Sequence, residues 1–563
     1  MYAFQPVSAS KKRLSLHRHK IHESHSQELI RPPRFHLLIQ EKENRRRELC
    51  QTILSSAILK YPPPILVSSG AKQNVSDKAK SQADVCEILD NLLGPEIHGD
   101  DMVLIVEDDV WLQLPSTVLI NRFIQTMDVA QFQLVGKYGR SVKDAQNPPD
   151  MYVPKVLFGA QKSCHHSSTS DFACRPIPES TLPPIDSKQH TGKAKVDKHS
   201  RPRYLNSGMI MGRAADVRAL FEKAEDRFEI SKSSTTQDML TEIYGRQEYG
   251  RRILTESNDS RISAILIANG GYDHILPPII PGNDEKDWEN LYGIEVDYTG
   301  SLFQVMENSE EDVRFMSYED LNLNQEKLGV PADLTNIRKP FFHRPSKSLP
   351  SPAFPMPDGA WSTVNLAVNV AVPNGVVPAA LGFRNNEKLT SDWWEQMWFH
   401  NHSRALLASV HNNPLRKILS RENAKGGKKW WDLRVGGKGG GVWMGLDQWQ
   451  EWDQICGSQH KMVFGDNRGP FGTEDENQNT NSRPTRPGQA PEDMPHSAAS
   501  NSSSESNETQ APVRKGSIIR NGRVPARPQN FGMVSHMPPP DEGTDEGAYY
   551  DENDHDDRDE PDD

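Results

Sequence analysis

The sequence predicts an α/β protein whose mainly parallel sheet is flanked by helices. Three observations predict it. Short apolar runs stand at 35–39, 65–67 and 102–106, and each suits a buried strand. Between them lie two stretches of helical period, the first carrying Leu49, Ile53, Leu54, Ala57 and Ile58, the second Val85, Ile88, Leu89 and Leu92. Strand, helix, strand, helix, strand within one short stretch is the pattern of parallel strands joined by helical crossovers. Pro62, Pro63 and Pro64 stop the first helix, because proline lacks the amide hydrogen a helix interior needs.

Further along, periodicity fades from Leu157, and a long surface loop rich in Ser, Pro, Lys and Thr is expected at about 160–202. Order resumes at 204–211, followed by helices at 214–228 and from Thr236 to about Arg252. A strand with flanking turns is expected at 292–306, and a short element at 340–343. Nine of the eleven tryptophans lie after residue 360, and Gly436, Gly437, Gly439, Gly440 and Gly441 interrupt that region. It reads as an accessory lobe or an aromatic wrap on the first domain. The expected organisation is a disordered basic arm (1–33), an α/β domain (34–345), a Trp-rich lobe (346–466) and a disordered tail (467–563).

Of 563 residues, 35% are hydrophobic and 25% charged, with 41 prolines and 38 glycines, which suits a folded core carrying loose ends. The formal charge of -12 is local. Residues 541–563 hold thirteen acids and one arginine, which leaves 64 acids and 64 bases before them. Composition therefore points away from a broad nucleic-acid-binding surface, and no nucleic-acid partner is expected. No apolar run reaches the ~18 residues of a membrane span. The basic start (Lys11, Lys12, Arg13, Arg18, Lys20) lacks the apolar stretch of a secretory signal. Five scattered cysteines do not suggest a disulfide scaffold. Cys164 and Cys174 flank a Ser- and His-containing stretch and fit a local bridge, two free thiols or a zinc site.

The third strand runs directly into Glu107, Asp108 and Asp109. Parallel sheets bind ligands beyond the carboxyl ends of their strands, and three adjacent carboxylates repel one another unless solvated or neutralised. A hard divalent cation prefers such oxygens and leaves positions for phosphate. Two readings stand: a metal site that grips a diphosphate, or a solvated acidic turn ahead of the next helix. Asn206, Ser207 and Gly208 interrupt an apolar run; they suit contacts to a sugar hydroxyl, or a bulged strand with its polar groups satisfied internally. Gln237 and Asp238, with Gln247, Glu248 and Tyr249 two to three turns on, are site groups or an ordinary helix cap and solvated face. The pairs Trp393/Trp394 and Trp430/Trp431 could stack on carbohydrate or pack inside.

Taken in order, residues 35–40, 103–115, 204–212 and 236–249, with Asp297, Tyr298, Leu302, Phe303 and Gln304, resemble the glycosyltransferase domain of the procollagen lysyl hydroxylase/glycosyltransferase proteins, and more closely fungal proteins carrying that domain. The resemblance covers roughly 35–345. It implies a GT-A-type nucleotide-diphospho-sugar transferase fold, Mn²⁺ (or Mg²⁺) on an aspartate motif, and a UDP-sugar donor. Asp109 matches the second metal-binding aspartate, with Glu107 or Asp108 near the first; the spacing is one residue tighter than the family's Asp-x-x-Asp. His343 is the candidate third ligand and Lys347 a phosphate contact. Asn206, with Ser207, falls in the sugar region, and Asp238 or Glu248 would orient acceptor or sugar. The family's Asp-Gln pair appears here in altered order, as Gln237-Asp238.

The resemblance thus implies hexose transfer from a UDP-sugar to a protein or glycan hydroxyl in the secretory pathway. The altered acidic motifs leave an alternative, a degenerate domain that binds a nucleotide sugar or a protein without turnover. Asn-x-Ser/Thr sequons at Asn74, Asn258, Asn401, Asn501 and Asn507 are compatible with secretion. The iron-binding hydroxylase signature of the animal proteins is not found.

Overall fold

The computed structural model describes residues 33–42, 45–68, 76–138, 152–164, 172–183, 200–230, 235–256, 292–318, 330–335, 361–384, 386–412, 417–421, 429–432, 440–445 and 448–465. All fall within one compact unit, 1–483. The expected arm (1–33, but for Pro33), the short element at 340–343, His343, Lys347 and the tail lie outside the described residues.

The chain opens with β1 (Phe35–Gln40), α1 (Arg46–Ile58), β2 (Ile65–Val67), α2 (Asp77–Leu93) and β3 (Met102–Glu107), the five elements that periodicity predicts. The Ser76 hydroxyl accepts a hydrogen bond from the Ala79 amide and starts α2. Next come β4 (Val110–Leu112), α3 (Ser116–Tyr138), β5 (Val156–Gln161), β6 (Tyr204–Arg213), α4 (Ala214–Ile230) and α5 (Thr236–Glu256). Then follow β7 (Ile294–Asp297), β8 (Phe303–Val305), β9 (Val313–Met316), α6 (Ala332–Thr335), β10 (Leu366–Asn369) and β11 (Ala380–Gly382). The described chain closes with α7 (Glu387–Trp394), α8 (Ser403–Asn412), β12 (Lys417–Arg421), β13 (Lys429–Asp432), β14 (Val442–Met444), β15 (Gln448–Gln450), α9 (Trp452–Cys456) and α10 (His460–Phe464).

One eleven-stranded sheet organises the unit, in the order β15-β14-β2-β1-β3-β6-β5-β8-β11-β4, with β7 also on β5. Its pairs β14/β2, β2/β1, β1/β3, β5/β7, β5/β8 and β8/β11 are parallel. β6 is antiparallel to β3 and β5, and the outermost pairs β14/β15 and β11/β4 are antiparallel too. The architecture is therefore mixed α/β with a mostly parallel centre and flanking helices, compatible with a Rossmann-like fold. Two apolar clusters cover its two faces. One gathers α1, Trp111 and the C-terminal aromatics; the other gathers α2, α4 and α5.

Three expectations change. The loop that fading periodicity suggested from Leu157 begins five residues later, because residues 156–161 form β5, buried along its whole length. A strand covered on both faces shows no alternation and so leaves no period to read. The single strand expected at 292–306 is two, β7 and β8, separated by a turn in which Asp297 Oδ2 accepts the amides of Leu302 (2.7 Å) and Phe303 (3.0 Å).

The third concerns the Trp-rich segment. Its β11 lies between β8 and β4, and its β14 pairs with β2 near the opposite edge, so it extends the same sheet at both ends. Trp394 stands edge-on to Trp111 at 4.9 Å, and the Trp398 indole donates to the Gln113 carbonyl at 2.9 Å. Trp393 is packed on Phe315 at 5.0 Å. These rings are used for packing. Two disulfides are present. Cys164–Cys174 closes a local loop, which removes both thiols from any zinc site, and Cys50–Cys456 joins α1 to α9 across 406 residues. Cys86 is a free thiol.

Candidate functional site

At the carboxyl ends of β1, β2 and β3 the chain forms a cleft of about 290 Å³, near the lower bound of roughly 300 Å³ for small-molecule sites. Each wall comes from a strand end or a helix start. Gln40, Glu41 and Lys42 follow β1; Ser81 and Asp84 lie on α2; Glu107 ends β3, and Asp109 is in the turn after it. Asn206, Ser207 and Gly208 come from β6, Thr235, Thr236 and Gln237 from the start of α5, and Arg384 from just beyond β11.

The three adjacent carboxylates have three different surroundings. Glu107 is paired with Lys42 Nζ at 2.8 Å. Burial pushes its carboxyl up, but the cations of Lys42, Arg384 and Arg45 outweigh that and hold it below the ordinary range. Asp108 turns away from the cleft and is fully buried. Its Oδ2 accepts the Lys42 amide at 2.8 Å, and its Oδ1 is 2.9 Å from Arg45 Nη1. Burial dominates there and pushes Asp108 up to about 7, although Arg45 opposes it. Asp109 lines the cleft and accepts from Arg45 Nη2 at 2.5 Å. Two cations, Lys42 and Arg45, thus pair directly with the three carboxylates.

The segment Asn206-Ser207-Gly208 satisfies both readings of the sequence at once. On β5, Phe158 pairs with Ile210 and the next residue, Gly159, with Asn206, so β6 bulges between them. Asn206 Nδ2 donates to Gln161 Oε1 (2.9 Å), and its Oδ1 accepts the Gly208 amide (3.0 Å). The Ser207 amide donates to Gln237 Oε1 at 2.7 Å, while Gln237 Nε2 donates to the Leu205 carbonyl at 2.8 Å. The bulge is therefore tied internally and still lines the cleft. A Cβ at Gly208 would crowd the site, lying 3.0 Å from Asn206 Oδ1 and 3.3 Å from Glu107 Cδ, so these side chains would have to shift to admit it.

Of the residues chosen from sequence, Glu107, Asp109, Asn206 and Ser207 come together at the cleft, and Asp108 supports it from beneath. Asp238 and Glu248 are not brought there. Asp238 is buried in the first turn of α5, its amide donating to the Thr235 hydroxyl at 3.1 Å. Glu248 is buried against Arg251 at 2.6 Å, beside Glu295 on the same guanidinium. Burial pushes Glu295 up, and Glu248 adds to it; this is an interior charge cluster, not a cleft group. Gln237 takes the place expected of Asp238.

Sequence reasoning missed Lys42, Arg45, Gln161 and Arg384. The first two had a signal, since the basic residues after β1 sit at the same sheet edge as Glu107. Gln161 and Arg384 had none. Among the described residues, no three His, Cys, Asp or Glu side chains are gathered as a metal-binding group. Two carboxylates on the wall, Glu107 and Asp109, still fit an ion that takes its remaining ligands from water and a bound phosphate. The Lys42 side chain that pairs with Glu107 is two-fifths exposed. No family model and no curated protein matches the chain. Among the described residues, no helix is long and apolar enough to cross a membrane.

Proposed function

We propose that the cleft binds a nucleotide-diphospho-sugar and that the protein is a metal-dependent glycosyltransferase of GT-A type, moving a hexose from a UDP-sugar to a protein or glycan hydroxyl. One observation carries the reading: Glu107 and Asp109 at the carboxyl end of β3 share a cleft with the Asn206–Gly208 bulge and the start of α5. That edge is where mostly parallel sheets accept nucleotides. Glu107 and Asp109 would hold Mn²⁺ or Mg²⁺, whose charge offsets that of a departing diphosphate. Ser207 lines the cleft, and its hydroxyl would suit a sugar hydroxyl. Lys42 supplies a second positive charge beside Glu107. Two disulfides favour maturation in an oxidising compartment, in keeping with a secretory enzyme.

A second reading, binding without turnover, is favoured by one feature. Arg45 already neutralises Asp109 and Asp108, so part of the charge expected of a metal is supplied by the chain. Release of UDP from UDP-sugars, with and without Mn²⁺, separates the two. The transferase reading expects Mn²⁺-dependent release that falls at least ~10-fold in Glu107→Gln with the melting temperature unchanged. UDP binding with no release from any donor supports the second reading. Failure to bind UDP in either condition refutes the transferase reading and the nucleotide-sugar form of the second, and leaves protein binding as its remaining form.

A further inference from the structure

Arg384 holds an unusual backbone for a residue with a side chain. Its φ is 45°, in the left-handed region that costs every residue but glycine, and such strain persists where the surroundings enforce it. The surroundings here are specific. Phe383, just before it, is buried with its ring 4.1 Å from that of Trp111, and the Phe383 amide faces the Asp109 carbonyl at 3.4 Å. Asn386, two residues on, caps α7 by accepting the Leu389 amide at 3.1 Å. The strained residue is thus fixed between a sheet strand and a helix start.

Its side chain is fixed as well. Nη1 donates to Gln161 Oε1 at 2.7 Å and to Glu307 Oε2 at 3.0 Å. Gln161 also accepts from Asn206, so the guanidinium is joined through one amide to the β6 bulge. Only Nη1 is engaged in hydrogen bonds among the described residues; Nε and Nη2 are not, and Arg384 lines the cleft with its side chain 29% exposed. A guanidinium anchored at one nitrogen on the wall of a cleft, with two further nitrogens left to donate, is a preorganised receptor for a phosphate, which accepts two such donors side by side.

We propose that Arg384 is the anion-recognition residue of this cleft, binding a phosphate group of the ligand through the guanidinium nitrogens that Gln161 and Glu307 leave open. The inference rests on reading the cleft as a ligand site, and it assigns to the Trp-rich segment a residue of that site. The strain at Arg384 is kept because the guanidinium is needed there: glycine would relax the backbone and lose the receptor.

The test titrates the full chain with inorganic pyrophosphate and, separately, with uridine, each with and without Mn²⁺. Arg384→Gly and Arg384→Lys are compared with the wild type. The expected result is pyrophosphate binding that weakens at least ~10-fold in Arg384→Gly, whose melting temperature equals or exceeds the wild-type value. Arg384→Lys, which keeps the charge and loses the fork, falls between, and uridine binding is the same in all three. Unchanged pyrophosphate binding in Arg384→Gly overturns the proposal, as does a wild type that binds no pyrophosphate in either condition. Pyrophosphate binding through Arg384 with no affinity for uridine or UDP upholds Arg384 and removes the nucleotide-sugar reading.

Discussion

Replacing both Cys50 and Cys456 by alanine tests how the C-terminal segment is held to the sheet. The bridge closes a loop of 406 residues between two helices, and both half-cystines are fully buried. Chain-entropy reasoning assigns such a loop roughly 20 cal/mol/K, or ~6 kcal/mol at 25 °C, above the ~0–5 kcal/mol observed for disulfides. Real unfolded chains retain structure and lose less freedom than the ideal chain, so the expected loss is about 3 kcal/mol. α1 stays on the sheet without the bridge, because the Thr52 hydroxyl donates to the Asp108 carbonyl at 2.7 Å and Ser55 Oγ accepts the Leu112 amide at 3.1 Å. The double variant should therefore fold and melt on the order of 5 °C lower. Thiol titration of the denatured, unreduced wild type should find one free thiol, Cys86, among five cysteines. Three free thiols, or melting curves that coincide within about 1 °C, would refute the reasoning.

Asp101 gives a pH-dependent result. It accepts the Arg34 and His98 amides and bonds His36 Nε2 at 3.0 Å. Burial pushes its carboxyl up, but these bonds outweigh it and lower Asp101 to about 2. A depressed carboxylate stabilises the fold above its unfolded value near 4, and that contribution is lost as pH falls through about 2. Asp101→Asn should cost about 2 kcal/mol at pH 7 and roughly half that at pH 3 by urea unfolding; equal costs at both would refute the linkage. Gly245→Ala would put a Cβ 1.7 Å from the Phe172 carbonyl oxygen, prising α5 from the disulfide loop, and should cost about 3 kcal/mol in the same assay. Gly208→Ala should leave the melting temperature within a few degrees but weaken UDP binding about 10-fold, since its methyl crowds Asn206 and Glu107; unchanged affinity in calorimetry would remove the bulge from the site.

What could be read from sequence follows from what is local. β1, α1, β2, α2 and β3 show themselves because each period is written in consecutive residues. β8, β11 and β4 are three residues long and carry no period, so the far half of the sheet stays hidden. Glu107 and Asp109 were legible because a strand end locates them. Arg384 was not, because only the pairing of β11 with β8 and β4 brings it back to residues far earlier in the chain. Asp238 and Glu248 misled for a geometric reason. A helix turns 100° per residue, so with Gln237 facing the cleft Asp238 turns inward, and Glu248 lies ~16 Å further down the axis.

The charges of the cleft bear on how its two proposed roles fit together. Glu41, Asp84, Glu107 and Asp109 line it against Lys42 and Arg384, so carboxylates outnumber cations. A diphosphate entering such a cleft meets net repulsion unless positive charge comes with it or is already aimed at it. Lys42 is bound to Glu107, and Arg45 to Asp108 and Asp109; both are spent on neutralising the chain's own acids. Arg384 is also paired with an acid, Glu307, but through Nη1 alone, which serves both of its partners. A metal on Glu107 and Asp109, if bound as proposed, and a guanidinium from far later in the chain would thus be complementary: the first would cancel the acid excess, and the second would supply direction that a spherical ion lacks. Binding of pyrophosphate that needs both, and of uridine that needs neither, is the pattern this division of labour requires.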